Sequence, residues 1–157
     1  MSDLVSRVLG PIVLNGGRGG GFLESTMQIQ HHTVPVTLEI DEPGKLDDKL
    51  VETIDAVLEN FDRVQPMIDD VLRAGFRNGA SSMSRLFEAW KSADSRRQSS
   101  TREEFLATLV PIKLRFSPDI ESSHADRMAI TYCVGDEPFL GEAKVRFIDR
   151  VGPELAP

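Results

Sequence analysis

Between Leu46 and Phe76 the chain carries apolar residues at steps of four and three: Leu50, Ile54, Val57, Phe61, Val64, Ile68 and Val71. That spacing lines them along one face of a helix, so the segment predicts a long amphipathic helix on which the rest of the chain must pack. The other face is acidic. Asp48, Glu52, Asp55, Glu59 and Asp62 follow the same steps, and the line resumes at Asp69 beyond Gln65. Like charges one turn apart destabilise a helix by roughly 0.2–0.5 kcal/mol per pair, so the row is either outweighed by the apolar stripe or kept for a basic partner. Pro66 lacks a backbone donor and crowds the carbonyl of Asp62, which predicts a kink near Gln65 or two helices meeting there.

A chain of 157 residues, 40% hydrophobic and 27% charged, has enough apolar material for one core, and residues 1–157 are expected to form a single domain. The lone Cys133 excludes an internal disulfide framework and a multi-cysteine metal site, and it fits a reducing compartment. Asp3 and Arg7 interrupt the N-terminal apolar residues, so no signal-peptide core forms, and no run approaches the roughly 20 apolar residues that cross a bilayer. Cytoplasmic residence without membrane attachment is the expectation. The net charge of −7 is uneven: residues 41–70 hold ten acids against three bases, whereas residues 71–116 hold four acids against nine bases. An acidic helix beside a basic middle disfavours nucleic acid at the helix and suits a cationic protein.

Taken in order, Val8 to Leu14 reads as a first edge strand containing Pro11. Residues 15–21, Asn-Gly-Gly-Arg-Gly-Gly-Gly, read as a flexible connection or hairpin tip; they lack the Lys-Ser/Thr and following helix of a phosphate loop. Phe22 to Gln30 and Thr33 to Ile40 alternate as strands, with Pro35 on the polar face of the second and His31-His32 in the turn between them. Adjacent histidines point different ways, and His124 is distant, so no metal site is expected. Gly75 and Asn78-Gly79 stop the long helix. Ser81 or Ser82 caps another through about Ala93, whose apolar face is Met83, Leu86, Phe87 and Trp90. Thr101-Arg102-Glu103-Glu104 is a capping-box pattern for a short helix carrying Phe105, Leu106 and Leu109, ended by Pro111. Three alternating strands follow, around Ile112–Phe116, Arg127–Val134 and Lys144–Phe147. Paired antiparallel, they gather Lys113, Arg115, Arg127, Lys144 and Arg146 on one face, either solvated or open to an anionic partner. Residues 151–157 read as a frayed tail. The order of strands, helices and strands predicts an α+β fold, a two-layer domain with the helices packed on one face of a mainly antiparallel sheet.

Two segments carry a resemblance: Thr101-Arg102-Glu103-Glu104-Phe105-Leu106, and Tyr132-Cys133-Val134-Gly135-Asp136-Glu137-Pro138-Phe139-Leu140-Gly141 leading into the last strand. Together they resemble a group of uncharacterised bacterial domains in which a capped short helix precedes a hairpin with a Gly-Asp turn and an aromatic-rich segment. Leu140 stands where that group has an aromatic residue and Glu142 where it has His, so no role of those side chains is carried over. Relatives of that kind often act as immunity proteins of bacterial toxin systems, and this is what the resemblance implies for function.

No catalytic motif is present. Asp55 and Glu59 form a candidate acid–base pair, yet a solvated helix face does not push two carboxylate pKa values apart. The serines near Ser81 and Ser99 lack a nucleophile-elbow pattern or a nearby His. The expectation is therefore a non-enzymatic binding module without cofactor or metal, an immunity-type inhibitor. Its partner-binding residues would be Asp48, Glu52, Asp55, Glu59, Asp62 and Asp69, facing a basic surface. The alternative is a structural domain that self-associates through an edge strand or an exposed hairpin.

Overall fold

The computed structural model describes residues 3–17, 20–120, 126–148 and 153–157. In chain order the elements are β1 (Val5–Ser6), β2 (Gly10–Pro11), β3 (Asn15–Gly17), β4 (Gly20–Ile29), β5 (His32–Ile40), α1 (Asp48–Glu59), α2 (Phe61–Ala74), α3 (Ser82–Ala93), α4 (Arg102–Leu106), β6 (Leu109–Phe116), β7 (Asp126–Val134), β8 (Glu142–Ile148) and β9 (Pro153–Leu155). Strands β3 to β9 form one sheet in the order of the sequence. Its neighbours are antiparallel except β5 and β6, which run parallel where Val36–Leu38 meet Leu114–Phe116. Parallel neighbours need a long crossover, and the helical block between Ile40 and Leu109 supplies it. The chain is thus α+β with a mostly antiparallel sheet.

The β4–β5 hairpin follows from its turn. Gln30 and His31 both have positive φ, 49° and 68°, the two-residue geometry whose twist matches that of the flanking strands. The register from Ile29–His32 to Gly21–Ile40 then buries Val34, Val36, Leu38 and Ile40. Pro35 stands one residue before the ladder to β6 begins at Val36, where it withholds no bond from that strand. The glycine-rich segment is a hairpin too: Asn15–Gly17 pair with Gly20–Phe22, while Arg18 and Gly19 lie outside the described residues.

Val8–Leu14 does not form the expected strand. Instead β1 and β2 make a small hairpin of their own, Val5 opposite Pro11 and Ser6 opposite Gly10, with Gly10 at φ +82°. Leu9 and Ile12 from this segment enter the core, and the Ser25 hydroxyl donates to the Leu9 carbonyl, tying the segment to β4.

The long acidic helix is two helices, divided at Asn60 rather than near Gln65. The Asn60 side-chain amide donates to the Ala56 carbonyl at 2.7 Å, and the Arg63 amide turns back to the Asn60 carbonyl. These bonds take up groups that a continuous helix would use. Pro66 sits inside α2. The inward side of α1 is Val51, Ile54, Asp55 and Leu58, and that of α2 includes Phe61, Ile68 and Leu72, while Val57 is 37% exposed. Of the expected stripe, Ile54, Phe61 and Ile68 are buried and Leu50, Val64 and Val71 pack against the core; in the doublets Leu50-Val51 and Val57-Leu58 the fold buries the second residue more deeply, which leaves Val57 outside.

α3 is capped by Ser81, whose hydroxyl accepts from the Ser84 amide, and α4 by Thr101, whose hydroxyl accepts from the Glu104 amide. Trp90 is buried within an aromatic group of Phe76, Phe87 and Phe105. α4 ends at Leu106, so Leu109 and Pro111 belong to β6 instead. The register between β6 and β7 shifts between Pro111 and Lys113. The shift follows a residue without a donor and places Ile112 out of the alternation, leaving Pro111, Leu114 and Phe116 as the buried residues. In β7 both faces are buried. Ala129 and Thr131 are short and lie in register between long side chains, Arg115 and Arg146 for the first and Lys113 and Lys144 for the second, while Cys133 lies between Val110 and Glu142. The C-terminal residues from 153 onward are not frayed: Pro153–Leu155 pair with β8, and the Ala156 amide donates to the Lys144 carbonyl.

Candidate protein-binding face

The six carboxylates of the acidic row have different fates. Asp48, Glu52, Glu59 and Asp62 are exposed, Asp69 is half-buried, and Asp55 is 1% exposed and faces inward. The expected outward position of Asp55 is therefore corrected. Its oxygens accept from the Ser6 hydroxyl and, at 3.0 Å, from the Arg7 amide, both in the β1–β2 hairpin. A carboxylate can be buried where two donors from another segment meet it.

The same hairpin occupies the middle of the exposed row. Arg7 lies across α1, its Nε donating to Glu59 at 2.7 Å and its Nη1 to Glu52 at 2.8 Å. Hydrogen bonds to Glu59 and then Glu52 raise the guanidinium above its ordinary pKa. One arginine thus bridges two carboxylates seven positions apart on a single helix, two turns along it. Asp48, at the start of α1, and Asp62, in the first turn of α2, are exposed before and after the two glutamates in the chain. Neither Ser6 nor Arg7 was identified from the sequence as part of the site, since no local pattern connects them to residues more than forty positions away.

Asp69 takes part in a separate arrangement. The Gln65 amide donates to Asp69 at 3.1 Å and to the Tyr132 hydroxyl at 3.2 Å. Burial pushes the Tyr132 phenol up to about 12, the Gln65 bond opposing it. A cavity of about 380 Å³ opens here, its lining including Gln30, Asp69, Arg73, Glu103, Leu109 and Tyr132. Arg73 donates to Glu103 across the opening at 3.0 Å.

Four of the five basic residues expected on one sheet face share it, with the register shifting at Arg127, and three of the four are paired within the molecule. Lys113, Thr131 and Lys144 lie in one cross-strand row and Arg115, Ala129 and Arg146 in the next. Arg115 pairs with Glu39 at 2.8 Å, Lys144 with Asp126 at 3.7 Å, and Arg146 with both Asp126 and Glu154. Arg127 donates to the carbonyls of Pro118 and Ile120. His31 and His32 are exposed at the β4–β5 turn, and His124 lies outside the described residues. Among the described residues no group of three or more His, Cys, Asp or Glu side chains is placed to hold a metal ion. Burial, and then Glu142, raise the Cys133 thiol above its ordinary pKa, which disfavours the reactive thiolate. Phe139 stands 80% exposed in the turn between β7 and β8. No described helix is long and apolar enough to cross a membrane.

The fold defines the class as an α+β domain on a mostly antiparallel sheet, with a helix face that takes a guanidinium. No family model, curated protein or solved structure matches the chain.

Proposed function

We propose that this chain is a non-enzymatic protein-binding module, an immunity-type inhibitor that neutralises a bacterial toxin or effector through the acidic face of α1 and the start of α2. The architecture we read for it is two-layered, with the helices covering one face of the sheet and their acidic side turned outward. The observation that carries the proposal is the clasp on Arg7, where Glu52 and Glu59 hold a guanidinium delivered by a distant piece of backbone. A basic partner would use the same chemistry in trans, meeting Asp48 and Asp62 directly and competing with Arg7 for the two glutamates. Asp55 belongs to the support of this face and not to its surface.

Co-expression with the product of a neighbouring gene in a heterologous host tests the reading. The wild-type chain should restore growth against a toxic neighbour. The Asp48→Lys/Asp62→Lys variant, which leaves the clasp intact, should fold and lose protection, with in vitro capture weakened at least about tenfold and most strongly at low salt. Arg7→Ala should tighten capture, because it removes the internal competitor. A non-toxic neighbour, or full protection by the double variant, defeats the proposal.

A further inference from the structure

We propose that β4 is a self-pairing edge along which two copies of this chain join antiparallel over Leu23–Ile29, with Thr26 opposite Thr26 of the second copy. Strand β3 covers β4 only as far as Phe22, and beyond it the residues through Ile29 pair with β5 alone among the described residues. The two-residue turn fixes which backbone groups are left over. Ile29 and His32 flank the turn as a hydrogen-bonded pair, so Leu23, Ser25, Met27 and Ile29 turn their N–H and C=O groups to β5. Those of Glu24, Thr26 and Gln28 point to the open edge. Phe22, next in that alternation, already faces Asn15.

The open groups are centred on Thr26, so a two-fold pairing that uses all of them has one register. Thr26 faces Thr26, and Glu24 faces Gln28 of the second copy in both directions, each pair exchanging two backbone hydrogen bonds. The side chains suit that register. The Glu24 carboxylate meets a Gln28 amide instead of its own like charge, and threonines face each other across the axis. On the inner face the half-buried Met27 stands opposite the half-buried Ser25 of the second copy. β4 carries little of the usual protection of an edge: Gly20–Ile29 holds no Pro, Lys or Arg, its pairing with β5 has no bulge, and its one charge, Glu24, meets Gln28 in this register. The opposite edge is different, since β9 is short, begins at Pro153 and packs beside α2. Phe22, 42% exposed, stands at the end of the open edge and extends its apolar surface.

Sedimentation velocity of the full chain, from micromolar to hundred-micromolar concentration, should show a mass rising from monomer to dimer. Thr26→Pro deletes an N–H that β5 does not use, so the melting transition should persist while association weakens at least about tenfold. Gln28→Glu places like charges opposite each other twice per dimer and should also weaken it, and adding Glu24→Lys should restore it. Under mild oxidation Thr26→Cys should cross-link, its Cα atoms being about 5.5 Å apart in such a pair, whereas Glu24→Cys should not. A wild-type chain monomeric throughout, a Thr26→Pro variant that associates as well as wild type, or equal cross-linking at positions 24 and 26 overturns the proposal.

Discussion

Asp55 has its two oxygens committed to the Ser6 hydroxyl and the Arg7 amide, with the Arg7 guanidinium 3.9 Å away. Asp55→Ala leaves those donors facing an apolar wall and should cost about 2–3 kcal/mol in urea unfolding. Arg7→Ala keeps both hydrogen bonds to Asp55, removing two solvent-exposed ion pairs and the longer 3.9 Å approach to Asp55, and should cost less. Equal losses would show that the hairpin is held by its surface charges and not by the buried carboxylate. Tyr132, the one tyrosine in the chain, gives a second test at this scale. Burial pushes its phenol up to about 12, while the unfolded chain titrates near the ordinary 10. Between those values the unfolded state gives up a proton that the folded state keeps, so stability is unaffected below about pH 10 and falls as pH rises toward 12. Absorbance titration of the phenolate should give a folded midpoint well above 10; a midpoint at 10 would place the ring in solvent. Trp90, Ser81 and Thr101 were legible in the sequence because caps and apolar faces are written within a few residues. The burial of Asp55 was not, because its donors lie 48 and 49 positions upstream.

Elements were legible where alternation or a turn fixed them, as in β4, β5 and α3, and less so where two patterns competed. The doublets in α1 left open which residue of each is buried more deeply, and only a buried partner for Asp55 decides between them. Pro66 pointed to a break that the structure places at Asn60, where the Asn60 amide ends α1 by bonding Ala56. Proline and break are therefore separable. Pro66→Ala restores a donor to the Asp62 carbonyl inside α2, and at this exposed position it should stabilise the protein by about 1 kcal/mol or more. Thermal melts should rise by about 2–4 °C per kcal/mol. A loss of stability would mean that the helix pair depends on the proline for its angle. The Ile112 bulge is a similar case: strict alternation assigned Ile112 inward, and the missing donor of Pro111 next to it was the available sign that the register would slip.

At the scale of the molecule the two ends of the chain fasten the helices to the sheet, which no local pattern announces. The N-terminal hairpin joins β4 to α1 through Leu9 and Asp55, and the C-terminal strand joins β8 to α2 and α3. At Gly75 this second fastening is close. An added Cβ would stand 2.8 Å from Leu155 Cδ2 and 3.0 Å from Met83 Cβ. Gly75 has ordinary helical angles, φ −58° and ψ −28°, so alanine would favour the backbone, and only the packing opposes it. Gly75→Ala should therefore destabilise by about 1–3 kcal/mol through overpacking, despite its better helix propensity. Leu155→Ala removes the nearest obstacle while giving up its own partial burial, so the double variant should be more stable than the sum of the single losses predicts, by about 0.5 kcal/mol or more. Strict additivity would mean that Leu155 does not rest on Gly75 in solution. The C-terminal strand would then rest on its ladder with β8, and deleting residues 153–157 should speed amide exchange along β8 while leaving that of α2 unchanged.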